Sequence, residues 1–187
     1  CNGTAGNETT PLAPETTTAA PAAQLEGTLE EISTKILEKA TTVEFSMGPT
    51  TEIDLADVDA AKYYIGADPT GKVERATFTE PVIGAQPFSL CLIEAKEGAD
   101  LEALKNEILE SVNMRKWMCV EAEKLIVSNC GNTILMVMGS EVMADDVYNA
   151  FNIVANGAAS APLTRAGEVQ EEIPYGEEIP AEDGIDV

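Results

Sequence analysis

The sequence contains no histidine. That absence removes the commonest general base, the usual zinc sites and every serine or cysteine mechanism that leans on imidazole. Cations are scarce as well. Lys and Arg total 11 against 33 Asp and Glu, for a net charge of -22. A surface of that sign repels nucleic-acid phosphate and anionic lipid headgroups, so no nucleic-acid partner is expected and no attachment to membrane through a basic patch. No run of about 18 apolar residues occurs, so no membrane-crossing helix is expected. The four cysteines, Cys1, Cys91, Cys119 and Cys130, show neither a CxxC nor a metal-ligand spacing. No cofactor and no metal set is therefore expected.

What is present is enough for one domain of ordinary size with tails: 187 residues, 44% of them hydrophobic. Residues 1–25 are rich in Thr, Ala, Pro and Glu, and Leu12 is the only large apolar residue before Leu25. Such a stretch buries too little surface to offset its ordering entropy and reads as a disordered tether. Asn2-Gly3-Thr4 and Asn7-Glu8-Thr9 match the glycosylation sequon, a weak signal in a Thr-rich tract. Residues 157–187 hold eight acids and one arginine and repeat Glu-Glu-Ile-Pro at 171–174 and 177–180. Their prolines and like charges argue for a solvated tail. Within it Ile173, Tyr175 and Ile179 are apolar anchors in an acidic field, the pattern of a linear docking motif. Asp183 and Asp186 lack the ligand pattern of a calcium loop.

Residues 26–156 read as a single α+β domain. Thr28-Leu29-Glu30-Glu31 is a capping box, and Leu29, Ile32, Ile36 and Leu37 follow at helical spacing, predicting a helix over 28–41. Asp54 is expected to cap a second helix with Leu55, Val58, Ala61 and Ile65 on one face and Gly66 as its stop. Strands are expected at 73–79 and 86–95, the second apolar on both faces and therefore central. Asp100 caps a third helix, over 100–113, along Leu101, Leu104, Ile108 and Val112. Strands follow at 117–122, 124–129 and 133–139, the last two joined by a hairpin turn at Asn129-Cys130-Gly131-Asn132. Ser140 caps a final helix that ends at Gly157. The expected order is α-α-β-β-α-β-β-β-α, a mainly antiparallel sheet of about five strands with helices on one face.

Cys1 admits three readings: an arbitrary boundary, half of a disulfide, or the acylated first residue of a bacterial lipoprotein. A disulfide lacks geometry to hold a disordered end near a partner. Acylation accounts for the cysteine and for the spacer after it, because two acyl chains anchor stably without a basic patch. The expected partners are thus membrane, through a lipid on Cys1, and an envelope protein or wall component.

Three stretches carry a resemblance. They are Arg115-Lys116-Trp117-Met118-Cys119-Val120 with the strands after it, Ala61-Lys62-Tyr63-Tyr64-Ile65-Gly66, and Ala95-Lys96-Glu97-Gly98-Ala99-Asp100. Over about residues 28–154 the chain resembles bacterial lipoproteins that carry the uncharacterised domain of unknown function 4358. The resemblance implies a lipid-anchored, extracytoplasmic protein on the outer face of a Gram-positive type of membrane. That family has no assigned activity and lends no catalytic residues.

Arg115 and Lys116 form the only basic cluster beside the only tryptophan, Trp117. They could recognise a carboxylate or a sugar, with Trp117 as the stacking face. Equally, Trp117 could anchor a strand while the two cations complement the end of helix 100–113. Met114, Met118, Met136, Met138 and Met143 suggest thioether ligands for copper(I), but strand methionines are more often core filler. Cys91, Cys119 and Cys130 read as buried free thiols by default, with a Cys119–Cys130 disulfide as the oxidised alternative; a hairpin centred near Glu123 would set Cys119 opposite Val127 instead. Carboxylate pairs for glycoside hydrolysis carry no specificity among 33 acids. The expectation is a lipid-anchored binding or adaptor module rather than a catalyst. Its alternatives are an envelope hydrolase using carboxylates and a structural lipoprotein acting through its acidic tail.

Overall fold

The computed structural model describes residues 23–83, 86–117 and 119–168. Cys1, Met118, Ile173, Tyr175 and Ile179 lie outside the described residues. Among the described residues, four helices and six strands follow in the order α1 (Leu29–Lys39), β1 (Thr51–Glu52), α2 (Val58–Ile65), β2 (Val73–Thr79), β3 (Ser89–Ala95), α3 (Leu101–Ser111), β4 (Lys124–Cys130), β5 (Thr133–Gly139), α4 (Glu141–Val154) and β6 (Leu163–Ala166). The strands form one antiparallel sheet in the order β1-β2-β3-β5-β4-β6. The protein is an α+β domain, as the sequence indicates.

The helix starts are set by short polar side chains. Thr28 Oγ1 accepts from the Glu31 amide at 3.2 Å while Glu31 Oε2 accepts from the Thr28 amide at 3.0 Å, so the capping box forms. Asp100 and Ser140 cap α3 and α4 with a single bond each, accepting from the Ala103 and Met143 amides. The second helix starts later than expected. Asp57 is its cap, accepting from Ala60, and Asp54 instead holds the amide of Ala56 in the preceding turn. The helix ends where expected, at Gly66, whose φ of 77° closes it against the Lys62 carbonyl.

Helices cover both faces of the sheet, not one. Leu90 and Leu92 of β3, Leu135 and Val137 of β5 and Ile126 of β4 pack with α1 and α4. The alternate residues Cys91, Ile93, Ile134, Met136, Leu125 and Val127 pack with α2 and α3. Period-two alternation with both sets buried produces this three-layer arrangement. It also splits the methionines: Met114, Met136 and Met138 lie on the α2/α3 side and Met143 on the other. The five methionines therefore do not share one site: Met143 is separated by the sheet from Met114, Met136 and Met138, which are buried in core.

Two expected boundaries differ. Trp117 and residues 119–122, expected in a strand over 117–122, do not form one. A single bridge joins Trp117 to Val120, the Ala122 amide donates to the Met114 carbonyl at 3.0 Å, and Cys119 takes φ of 68°. A left-handed residue breaks strand alternation, so the segment is a tight loop between α3 and β4. With no hairpin there, Cys119 is exposed and Cys130 buried, and both are free, as is Cys91. The sixth strand, β6, lies within the stretch read as tail and pairs with β4 from Lys124↔Ala166 to Val127↔Leu163. Arg165 holds it there. Its Nη1 donates to the Glu110 carbonyl at 2.7 Å and its Nη2 donates to that of Val112, so one side chain ties the sheet edge to the end of α3.

Candidate functional site

Where β2 ends and β3 begins, the sheet face under α2 carries polar groups instead of core. Ser89 and Cys91 alternate onto that face, and Glu80 follows β2 directly. The turn 113–121 crosses above them and directs Lys116 downward. The Lys116 side chain is fully buried, at 0% exposure. Its Nζ pairs with Glu80 Oε1 and donates to Ser89 Oγ at 3.3 Å, and Ser89 Oγ donates to Glu80 Oε1 at 2.9 Å.

Three rings wall the ammonium. Its Nζ lies 5.1 Å from the Tyr63 ring centroid, 5.0 Å from that of Tyr64 and 5.3 Å from that of Trp117. Each distance is within the reach of a cation–π contact. Tyr63 and Tyr64 meet edge to face at 5.0 Å, and Tyr64 stacks on Phe78 of β2 at 3.9 Å, which fixes the inner wall. Tyr63 is 49% exposed, so the outer wall reaches solvent.

The ionisable groups are not set for catalysis. Burial pushes the Cys91 thiol up to about 12, against the opposing pull of the Lys116 charge and of the Ser89 hydrogen bond. A thiol so placed is not a nucleophile near neutral pH. Burial, then the Glu80 charge, also raises the Tyr64 hydroxyl. Ser89 donates to Glu80, and that carboxylate oxygen is already paired with the Lys116 ammonium, which weakens it as a base.

The three residues of the basic cluster part company. Lys116 turns inward and is committed to Glu80. Trp117 is half-buried against the α2/α3 core. Arg115 points outward, 52% exposed, its Nη1 donating to Glu168 at 3.0 Å and its Nε 3.2 Å from Glu121 Oε2. Beside it opens a cleft of about 350 Å³, lined by Val112, Asn113, Met114, Arg115, Glu121 and Arg165 among others. The buried Glu121 Oε2 has no hydrogen-bond partner, so charge alone holds it to Arg115. Arg165, not Arg115 or Lys116, takes the carbonyls at the end of α3. Among the described residues no group of three or more Asp, Glu, Cys or His is placed to hold a metal ion.

Sequence reasoning reached Lys116 and Trp117 but missed Glu80, Ser89 and Cys91 as their neighbours. Tyr63 and Tyr64 lie in a stretch that carries the family resemblance, which gave no hint of their role as walls. No protein-family model, curated protein or solved structure matches the chain.

Proposed function

We propose that the protein is a binding or adaptor module, held at the outer face of a bacterial membrane by a lipid on Cys1, and that its folded domain meets an envelope protein or wall component through the turn 113–121. One observation carries the choice of binding over catalysis. The chemistry-bearing side chains brought together, Lys116, Glu80, Ser89 and Cys91, bond to one another and are walled by aromatic rings. Such a cluster braces the turn above it but activates no nucleophile. The hydrolase alternative needs an acid and a base facing a shared substrate. At the cleft, Glu121 and Glu168 are instead bridged by Arg115.

The test is in-cell chemical crosslinking of the native protein with mass spectrometry of what is captured. A recurrent envelope partner, lost on Trp117→Ala and kept when residues 169–187 are removed, is the expected result. A partner lost only on tail removal would transfer the function to the tail. The anchor is tested apart: Cys1→Ala should release the protein to the medium, and continued membrane association would overturn that part of the reading.

A further inference from the structure

The surroundings of Lys116 are those of a receptor for a cation. Tyr63, Tyr64 and Trp117 present ring faces at 5.0–5.3 Å from one point, and Glu80 supplies a carboxylate at the same point. Aromatic walls with an acid at the base recognise organic ammonium groups, whose charge is spread and weakly hydrated. The group seated there is the chain's own ε-ammonium. We propose that the box of Tyr63, Tyr64, Trp117 and Glu80 is a binding site for the ammonium group of a ligand, and that Lys116 occupies it as an internal competitor in the free protein.

Three features favour exchange over a permanent structural pair. Tyr63 is half-exposed, so one wall is open to an incoming ligand. Lys116 sits on a loop and not in the sheet, next to the isolated Trp117–Val120 bridge, so withdrawing its side chain breaks no strand ladder. The same loop contains Cys119 at φ of 68°, a left-handed conformation that costs a non-glycine residue energy, so the present loop conformation is not held by backbone preference. The exchange conserves charge. One ammonium leaves Glu80 as another arrives, so no buried carboxylate is left unpaired. The net charge of -22 draws cations toward the domain.

An internal competitor lowers apparent affinity by the fraction of time it holds the site. Its removal should therefore tighten binding, the reverse of what loss of a contact residue does. The probe is tetramethylammonium chloride, and the reporter is Trp117, the only tryptophan of the chain. Sodium chloride at equal ionic strength controls for salt, and tert-butyl alcohol for apolar bulk. The full chain should show a saturable change in tryptophan emission with tetramethylammonium alone. Lys116→Ala should bind at least about tenfold more tightly, and Glu80→Gln more weakly. No saturable change in either the parent chain or Lys116→Ala would overturn the proposal, as would equal affinity in the two.

If Lys116→Ala does not fold, the parent chain decides. Acetylation by an N-hydroxysuccinimide ester, mapped by mass spectrometry, should rise at Lys116 with tetramethylammonium and stay constant at Lys62 and Lys96. Constant protection of Lys116 would overturn the exchange. The proposal rests on the binding-module reading, and the two fail separately. A partner captured through Trp117 with no ammonium response removes the box and leaves the adaptor. An ammonium response with no captured partner removes the protein adaptor and leaves the box.

Discussion

Asp146 of α4 accepts three hydrogen bonds through one oxygen, Oδ2: from the Thr42 amide at 2.8 Å, the Thr42 hydroxyl at 2.7 Å and the Thr41 amide at 2.7 Å. The carboxylate thereby ties α4 to the chain leaving α1. Burial acts to raise this carboxyl, but the Thr42 and Thr41 hydrogen bonds outweigh it and hold it below the ordinary aspartate range. A depressed pKa contributes stability that is complete above the unfolded value, about 4, and is lost as pH falls through the folded one. Thermal melts in acid should therefore show a steeper loss of Tm below about pH 4 for the parent chain than for Asp146→Asn. Parallel curves would mean that the carboxylate contributes nothing to folding.

Thiol accessibility should separate the three described cysteines. Cys119 is exposed, whereas Cys91 and Cys130 are buried and burial raises both thiols. Under native conditions near neutral pH, maleimide should modify Cys119 alone of the three, and denaturant should expose the other two. Mass mapping of the adducts checks this, and rapid native labelling of Cys91 would contradict the sealed floor beneath Lys116.

Two glycines with the same backbone hand should respond differently to alanine. Gly66 has φ of 77°, and a Cβ there would lie 2.4 Å from the Val112 backbone nitrogen. Gly71 has φ of 72° with nothing within 4 Å. Gly71→Ala should cost about 1–2 kcal/mol, the left-handed penalty alone. Gly66→Ala adds an overlap with backbone that cannot yield, typically ~1–3 kcal/mol more. Denaturant midpoints give the difference directly, and equal costs would show that the α2–α3 contact is soft.

Replacing Arg165 with Met keeps most of the stem and removes the donors to Glu110 and Val112. The expected loss is about 1–2 kcal/mol, concentrated locally. Amide exchange should accelerate in β6 and in the last turn of α3 while the β3–β5 pair stays protected. Uniform acceleration would mean that β6 is integral to the sheet rather than fastened to it by this side chain.

The elements were legible in sequence where period and punctuation agreed. Thr28 with Glu31, Asp100, Ser140 and Gly66 each acted as expected, and β2 spans Val73–Thr79 as read. The layer count was missed: helices were expected on one face, although Phe88-Ser89-Leu90-Cys91-Leu92-Ile93 is apolar on both, and a sheet covered on one side has no use for that. The turn 113–121 misled because Trp117, Cys119 and Val120 resemble strand composition, while the backbone spends Cys119 on a left-handed turn. Arg165 was hidden because its strand, of burial pattern partly covered and exposed in alternation, sits among residues of tail composition. The site itself could not be read along the chain. Glu80 and Lys116 are 36 residues apart, on a strand end and a loop, and no periodicity links them. The sheet order alone makes them neighbours.

The union of α1 with α4 also governs when the molecule can be completed. Synthesis proceeds from the N-terminus, so α1 emerges early, yet its core partners Ala144, Val147 and Phe151 and the carboxylate that fastens it come late. Thr42 waits 104 residues for Asp146. β3 likewise lacks its inner neighbour until β5 has been made. The α1/α4 side of the sheet therefore cannot be completed before Asp146 and Phe151 have been made.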